Sequence, residues 1–167
     1  QEMRSGSYQP QPVRQVLIPK SGKPGEKRPL GIPTIKDRVV QQALVNRLEP
    51  IFEKEFDGAN FGYRPRRSTK DALQKICNEI AEGCEWIVDA DLKNFFGTVD
   101  HKKLMTLLNR KVSDGKVLRM IEGILKAECF AQGQLYPTRQ GTPQGGVISP
   151  MLSNILLTPF DKEMRRR

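Results

Sequence analysis

Two stretches of this 167-residue chain hold side chains whose type and spacing could do chemistry. The first is IVDADLKNFF, Ile87 to Phe96. Period-two alternation over Trp86 to Asp91 predicts a strand with Ile87, Asp89 and Asp91 on one face and Trp86, Val88 and Ala90 on the other. Such a strand ends in acids and turns abruptly. It would put one or two carboxylates at the carboxyl edge of a sheet, where hard divalent cations such as Mg²⁺ bind through oxygen. A two-metal phosphoryl-transfer centre needs two or three converging carboxylates around metals roughly 3.5–4 Å apart, more than one strand supplies. The plainer reading makes Asp89 and Asp91 solvated strand residues or caps. The second stretch is QGTPQGGVISPMLSNILL, Gln140 to Leu157. Glycines and prolines around Gln144 predict a rigid loop that lets a backbone or a base approach, and Ser149 with Pro150 opens a helix beyond it. The loop matches neither a Walker A motif nor a dinucleotide fingerprint, and no Lys-Ser or Lys-Thr pair closes it.

Charge adds a direction. Lys and Arg number 28 against 19 Asp and Glu, net +9, and residues 1–70 hold 14 basic and 7 acidic side chains against 14 and 12 in residues 71–167. The amino-terminal segment, net +7, is the expected polyanion-binding surface, since a positive field concentrates phosphate-bearing partners. The alternative is a solvated basic face. With 37% hydrophobic and 28% charged residues, the composition fits one soluble unit or two small lobes sharing a core, and excludes a collagen, a coiled coil and an acidic disordered tail. Apolar runs fall far short of the roughly 20 residues that span a bilayer, so no membrane segment is expected. Cys77, Cys84 and Cys129 show no Cys-x-x-Cys spacing, the first residues form no apolar signal block, and a zinc site lacks ligands; reduced thiols in a cytoplasm are the expectation.

The elements that must position these residues follow from pattern. Residues 1–12 read as a mobile lead-in. Val13 to Pro19 and Arg28 to Ile32 predict a hairpin about the Lys20 to Lys27 turn, and Pro33 ends it. Apolar residues at spacings of three and four predict a helix over Ile35 to Phe56, broken or kinked by Pro50. After the arginine-rich loop Asp57 to Arg67, Ser68 and Asp71 cap a helix through Leu73, Ile76 and Ile80 that Gly83 stops. Asp100 caps a helix carrying Leu104, Leu107 and Leu108, another helix spans Lys116 to Ala127, and Cys129 to Arg139 forms a hairpin around Gln132-Gly133.

In the order of the chain, IPKSGKPGEKRPLGIPTIKDRVVQQAL, LEPIFEKEF, NFGYRPRRSTKDAL, VDADLKNFFGTVDH and GTPQGGVISPMLSNILL resemble blocks of the reverse transcriptases encoded by bacterial group II introns, the intron maturases. The resemblance runs from about Val13 to the end. Retron and CRISPR-associated reverse transcriptases share some blocks. It implies an α+β fold, the fingers and partial palm of a right-hand polymerase built from helices, β-hairpins and a small antiparallel sheet, with fingers at 1–87 and partial palm at 88–167. It implies RNA-directed DNA polymerisation in the parent protein: a primer 3′-hydroxyl attacks the α-phosphate of a dNTP with Mg²⁺ as cofactor, and RNA template, DNA primer and intron RNA are partners.

Residue by residue, the resemblance makes Asp91 the first metal-binding aspartate with the Leu92 carbonyl as a further ligand. Phe96 is the aromatic under the nucleotide sugar that excludes a 2′-hydroxyl. Lys20 and Arg28 grip the triphosphate, Gln144 packs beside nucleotide and template base, and Arg64, Arg66 and Arg67 contact the template. Two departures stand out. Gly97 replaces an aspartate usual in the family, and no Asp-Asp pair occurs, so the Tyr-x-Asp-Asp motif is absent. The expectation is a fragment ending before that motif, inactive alone and able to pair as a homodimer. The rival reading is an RNA-binding splicing module without chemistry. Elsewhere plain roles are expected: His101 a helix-start residue, Trp86 core, Cys77 and Cys84 packing thiols, and Arg165 to Arg167 a solvated helix end.

Overall fold

The computed structural model describes residues 1–166. Strands β1 (Val13–Pro19) and β2 (Lys27–Ile32) pair antiparallel with Ile18 opposite Arg28, forming the expected hairpin. A second hairpin, β3 (Cys129–Ala131) with β4 (Gln134–Tyr136), turns on Gln132 and Gly133, both at positive φ as a two-residue turn requires. The hairpins join through a parallel pairing of Val13 with Cys129 and Arg14 with Phe130. The small sheet, order β2-β1-β3-β4, is therefore mixed where antiparallel pairing was expected. The hydrogen bond from Val13 N–H to the Glu128 carbonyl, 2.7 Å, starts that parallel contact.

Seven helices surround it among the described residues: α1 (Glu2–Ser5), α2 (Ile35–Phe52), α3 (Thr69–Ala81), α4 (Phe95–Thr98), α5 (His101–Asn109), α6 (Gly115–Lys126) and α7 (Ser149–Arg166). Pro50 stands two residues before the end of α2, where it removes one bond from the last turn without a break. Ser68 and Asp71 form the reciprocal capping box at α3, and Asp100 accepts from Lys103 N–H at α5. One apolar cluster takes Leu44 and Leu48 from α2, Leu104 and Leu108 from α5, Ile121 and Leu125 from α6, and Leu152 and Ile155 from α7. The segments on either side of residue 87 thus share a core.

Four expectations change. The lead-in is docked: Tyr8 is buried and donates to the buried Asp37 carboxylate at 2.6 Å, and Gln11 N–H donates to the same group. Residues 84–92 form no strand, and Trp86 and Val88 are 93% and 92% exposed, so Trp86 is not core. Alternation suits a strand, but a ladder partner makes one, and no described strand lies alongside. Cys77 and Cys84 are exposed rather than packed, and Leu73, Ile76 and Ile80 face outward, because nothing described covers the apolar side of α3. Arg165 and Arg166 are ion-paired, to Asp57 and Glu163, rather than merely solvated; Arg167 lies outside the described residues.

Candidate functional site

Three backbone segments meet between the first hairpin and the start of α7. Loop 141–146 is held from both sides. Gly141 N–H donates to the Val99 carbonyl at 2.8 Å and Thr142 N–H to the Phe96 carbonyl at 2.6 Å. Across the loop, Gly31 N–H of β2 donates to the Gln144 carbonyl at 2.6 Å. His101 adds a side-chain tie, its Nε2 lying 2.7 Å from the Gly141 carbonyl, which fixes Nε2 as the protonated nitrogen because a carbonyl only accepts. Its helix-start position was legible in the sequence, whereas this tie was not. Glycine is required at two places. A Cβ on Gly141 (φ +89) would lie 2.8 Å from the Phe96 carbonyl oxygen, and one on Gly145 (φ +113) 2.6 Å from that of Gly31. The motif's glycines thus let loop backbone touch neighbouring backbone, and Phe96, Gln144 and β2 are fixed relative to one another.

These segments enclose a cavity of about 830 Å³ lined by Lys20, Arg28, Asp91, Leu92, Phe96 and Gln144. All the residues that the sequence assigned to nucleotide and metal meet there. Lys27, Lys93, Asn94, Tyr63 and Ser149 join them, unassigned by the sequence analysis. Lys27, Lys93 and Tyr63 were legible as neighbours of assigned residues, Tyr63 standing next to Arg64, although the fold brings it to the nucleotide residues rather than to the other arginines of its loop. Four cations thus face one carboxylate, a lining suited to a polyphosphate. Lys20 also pairs with Glu26 across the hairpin turn at 2.6 Å, an exposed pair that a stronger anion can displace at small cost. Asn94, at φ +53, turns the chain between Asp91 and Phe96, and its side chain occupies the space beside Gly97: a Cβ at 97 would lie 2.6 Å from the Asn94 amide nitrogen. An aspartate at that position would displace Asn94. Volume alone does not mark the site, since a cavity of about 900 Å³ beside α7 is lined by Asp57, Glu79, Asp161 and Arg165, outside the predicted set. Burial, with the nearby Asp57 charge, raises the Asp161 carboxyl above its ordinary pKa.

The described residues do not fit a two-metal centre. No group of three His, Cys, Asp or Glu among them could hold a metal ion, and Asp89 does not line the cavity with Asp91. Asp91 is the one carboxylate among the described residues that lines the cavity, with Leu92 beside it.

The arginine loop divides its labour in a way the sequence analysis did not anticipate. Arg64 is buried, and its guanidinium donates to both Glu53 oxygens and to the Asp57 and Asn60 carbonyls, over the Phe56 ring. Arg67 lies over Phe61 and donates to the Gly58 carbonyl at 2.6 Å. Both hold the loop together. Arg66, exposed and at φ +58, is the member presented outward.

The chain belongs to the reverse transcriptase (RNA-dependent DNA polymerase) family, whose model matches residues 18–167. It is 41% identical to protein YkfC of Escherichia coli, over 99% of this chain and 44% of that protein. It is 42% identical to the group II intron-encoded protein LtrA of Lactococcus lactis subsp. cremoris, over 97% of this chain and 27% of that one. The chain therefore spans less than half the length of either relative. Among solved structures, a partial Cas6-RT-Cas1–Cas2 complex matches with TM-score 0.62 and 24% identity, over 99% of this chain and 28% of that chain, a likeness that shows the fold.

Proposed function

We propose that this chain forms the template- and nucleotide-binding part of an RNA-directed DNA polymerase encoded by a group II intron, with fingers at 1–87 and partial palm at 88–167. One observation carries the proposal: residues assigned separately to triphosphate, metal and sugar, from three distant segments, line one cavity. Lys20, Lys27, Arg28 and Lys93 supply the charge that holds a dNTP triphosphate, Phe96 and Gln144 bound the sugar and base, and Asp91 is the first carboxylate of the reaction centre. Mg²⁺ and the remaining carboxylates belong to the whole protein, which acts in the cytoplasm on an RNA template and a DNA primer. Intron RNA is a further partner of the whole protein; the likeness to an intron-encoded relative supports a maturase role beside polymerisation.

Retention of a dNTP by the 167-residue chain, measured by equilibrium dialysis, tests the cavity. Replacing Lys20 and Arg28 together with alanine is expected to weaken retention at least about tenfold, a loss of two charge-assisted contacts. Unchanged retention contradicts the assignment. The chain alone is expected to incorporate no dNTP. In the whole protein Asp91→Asn is expected to abolish polymerisation and spare RNA binding, so that loss of both together contradicts the division of labour.

A further inference from the structure

The end of α2, the end of α5 and the middle of α7 enclose a hollow of about 170 Å³ that shares no lining residue with the cation-lined cavity. Its floor is apolar, made by Phe52, Leu107, Ile155 and Pro159. That volume takes one large side chain and falls below the roughly 300 Å³ at which small-molecule and cofactor sites begin. Pro159 shapes the wall at a cost to the helix. It stands inside α7, where it has no N–H to give the Ile155 carbonyl and its ring crowds that turn. For packing alone, an alanine there would hold the helix better.

The rim carries charge. Arg110, Lys111 and Lys162 are all exposed around the hollow. Lys111 and Lys162 both donate to Glu55, at 2.6 and 3.1 Å, and these bonds hold its carboxyl below its ordinary pKa. The rim thus already accommodates one carboxylate. Arg110 has no side-chain partner among the described residues, and three cations against the one carboxylate leave positive charge in excess. An apolar floor would leave the edge donors and acceptors of a nucleobase unpaired, and a phosphate strand gains nothing from it. An acidic protein segment matches both parts, with an apolar anchor for the hollow and carboxylates for the rim.

We propose that this hollow is a docking site for an acidic protein segment, which seats one large apolar side chain on the floor and sets carboxylates on Arg110 and the lysines. The two sites have no lining residue in common, so this partner and a nucleotide bind independently.

The test uses a labelled helical peptide of glutamate and alanine with one central phenylalanine. It is titrated into the 167-residue chain and read by anisotropy and by amide chemical shifts. Saturable binding is expected, weakened by salt, with shifts at residues 52–55, 107–111 and 155–162. A peptide with alanine in place of its phenylalanine should bind at least about tenfold more weakly, and so should one with glutamine in place of glutamate. Arg110→Glu should weaken the parent peptide about tenfold while leaving melting temperature and dNTP retention unchanged. Pro159→Ala should restore the helical bond and melt higher, yet hold the peptide less tightly. A peptide that does not bind, or whose binding ignores its own phenylalanine or Arg110→Glu, overturns the proposal. Shifts at the same residues with single-stranded RNA in place of the peptide would make the rim a phosphate surface and overturn the assignment of the partner. Shifts that grow with the concentration of the chain alone would give the hollow to a second copy and overturn it equally.

Discussion

Arg64 spends its guanidinium on the protein. With a buried side chain and acceptors from Glu53, Asp57 and Asn60, it leaves no donor for a ligand, although the sequence places it among expected template contacts. Arg64→Ala strands the half-buried Glu53 carboxylate and is expected to lower stability by about 1–3 kcal/mol in urea unfolding. Arg64→Lys should lose nearly as much, because an ammonium cannot span the same acceptors. An unmoved midpoint would mean that the loop holds without the guanidinium. Sequence made an arginine here legible as functional, but burial decides between holding a loop and touching a strand, and burial has no local signature. Tyr8 shows a related point at the lead-in. Burial, then its bond to Asp37, holds the phenol well above its usual value near 10. A raised pKa means that the folded form keeps its proton while the unfolded chain releases it, so the contribution is full below pH 10 and drains away above it. Tyr8→Phe should cost about 1 kcal/mol at neutral pH through the lost hydrogen bond, and the gap between parent and variant should close above pH 10. A gap that stays constant to higher pH would contradict the docking of the lead-in by this bond.

At the scale of elements, what pattern and capping encode was legible, and what depends on a remote partner was not. The first hairpin, the Ser68-Asp71 box and the Asp100 cap follow from neighbouring residues, and each is present. The stretch 84–92 has the alternation of a strand, yet a strand is a relation between two segments, and none of the described strands offers its edge. The same holds for α3, whose amphipathic face was readable and whose Leu73, Ile76 and Ile80 remain exposed. The parallel contact of β1 with β3 joins residues more than a hundred apart, beyond the reach of any periodicity argument. One consequence is measurable. Backbone amides of residues 86–90 are expected to exchange with solvent at nearly unprotected rates, while those of α5 and α6 exchange slowly, and Trp86 should be fully open to acrylamide quenching. Protected amides in that stretch would show a ladder partner.

For the whole molecule, the basic amino-terminal segment and the acid-bearing segment share one core, so the cavity between hairpin and α7 is carried on a single body of packed helices. The candidate site's residues were legible because they sit in family blocks. Their convergence required the fold: loop 141–146 bonded to Val99, Phe96 and Gly31 at once. Lys20, Arg28, Asp91, Phe96 and Gln144 are proposed to act on one nucleotide. The direct measurement is titration of the isotope-labelled 167-residue chain with a dNTP, followed by amide chemical shifts. One saturating set of shifts shared by residues 20, 27, 28, 91–96 and 144–146 is expected, with α5 and α6 unaffected. Shifts that spread over the basic residues of those helices, or that reach the hairpin and loop 141–146 with different affinities, would contradict it.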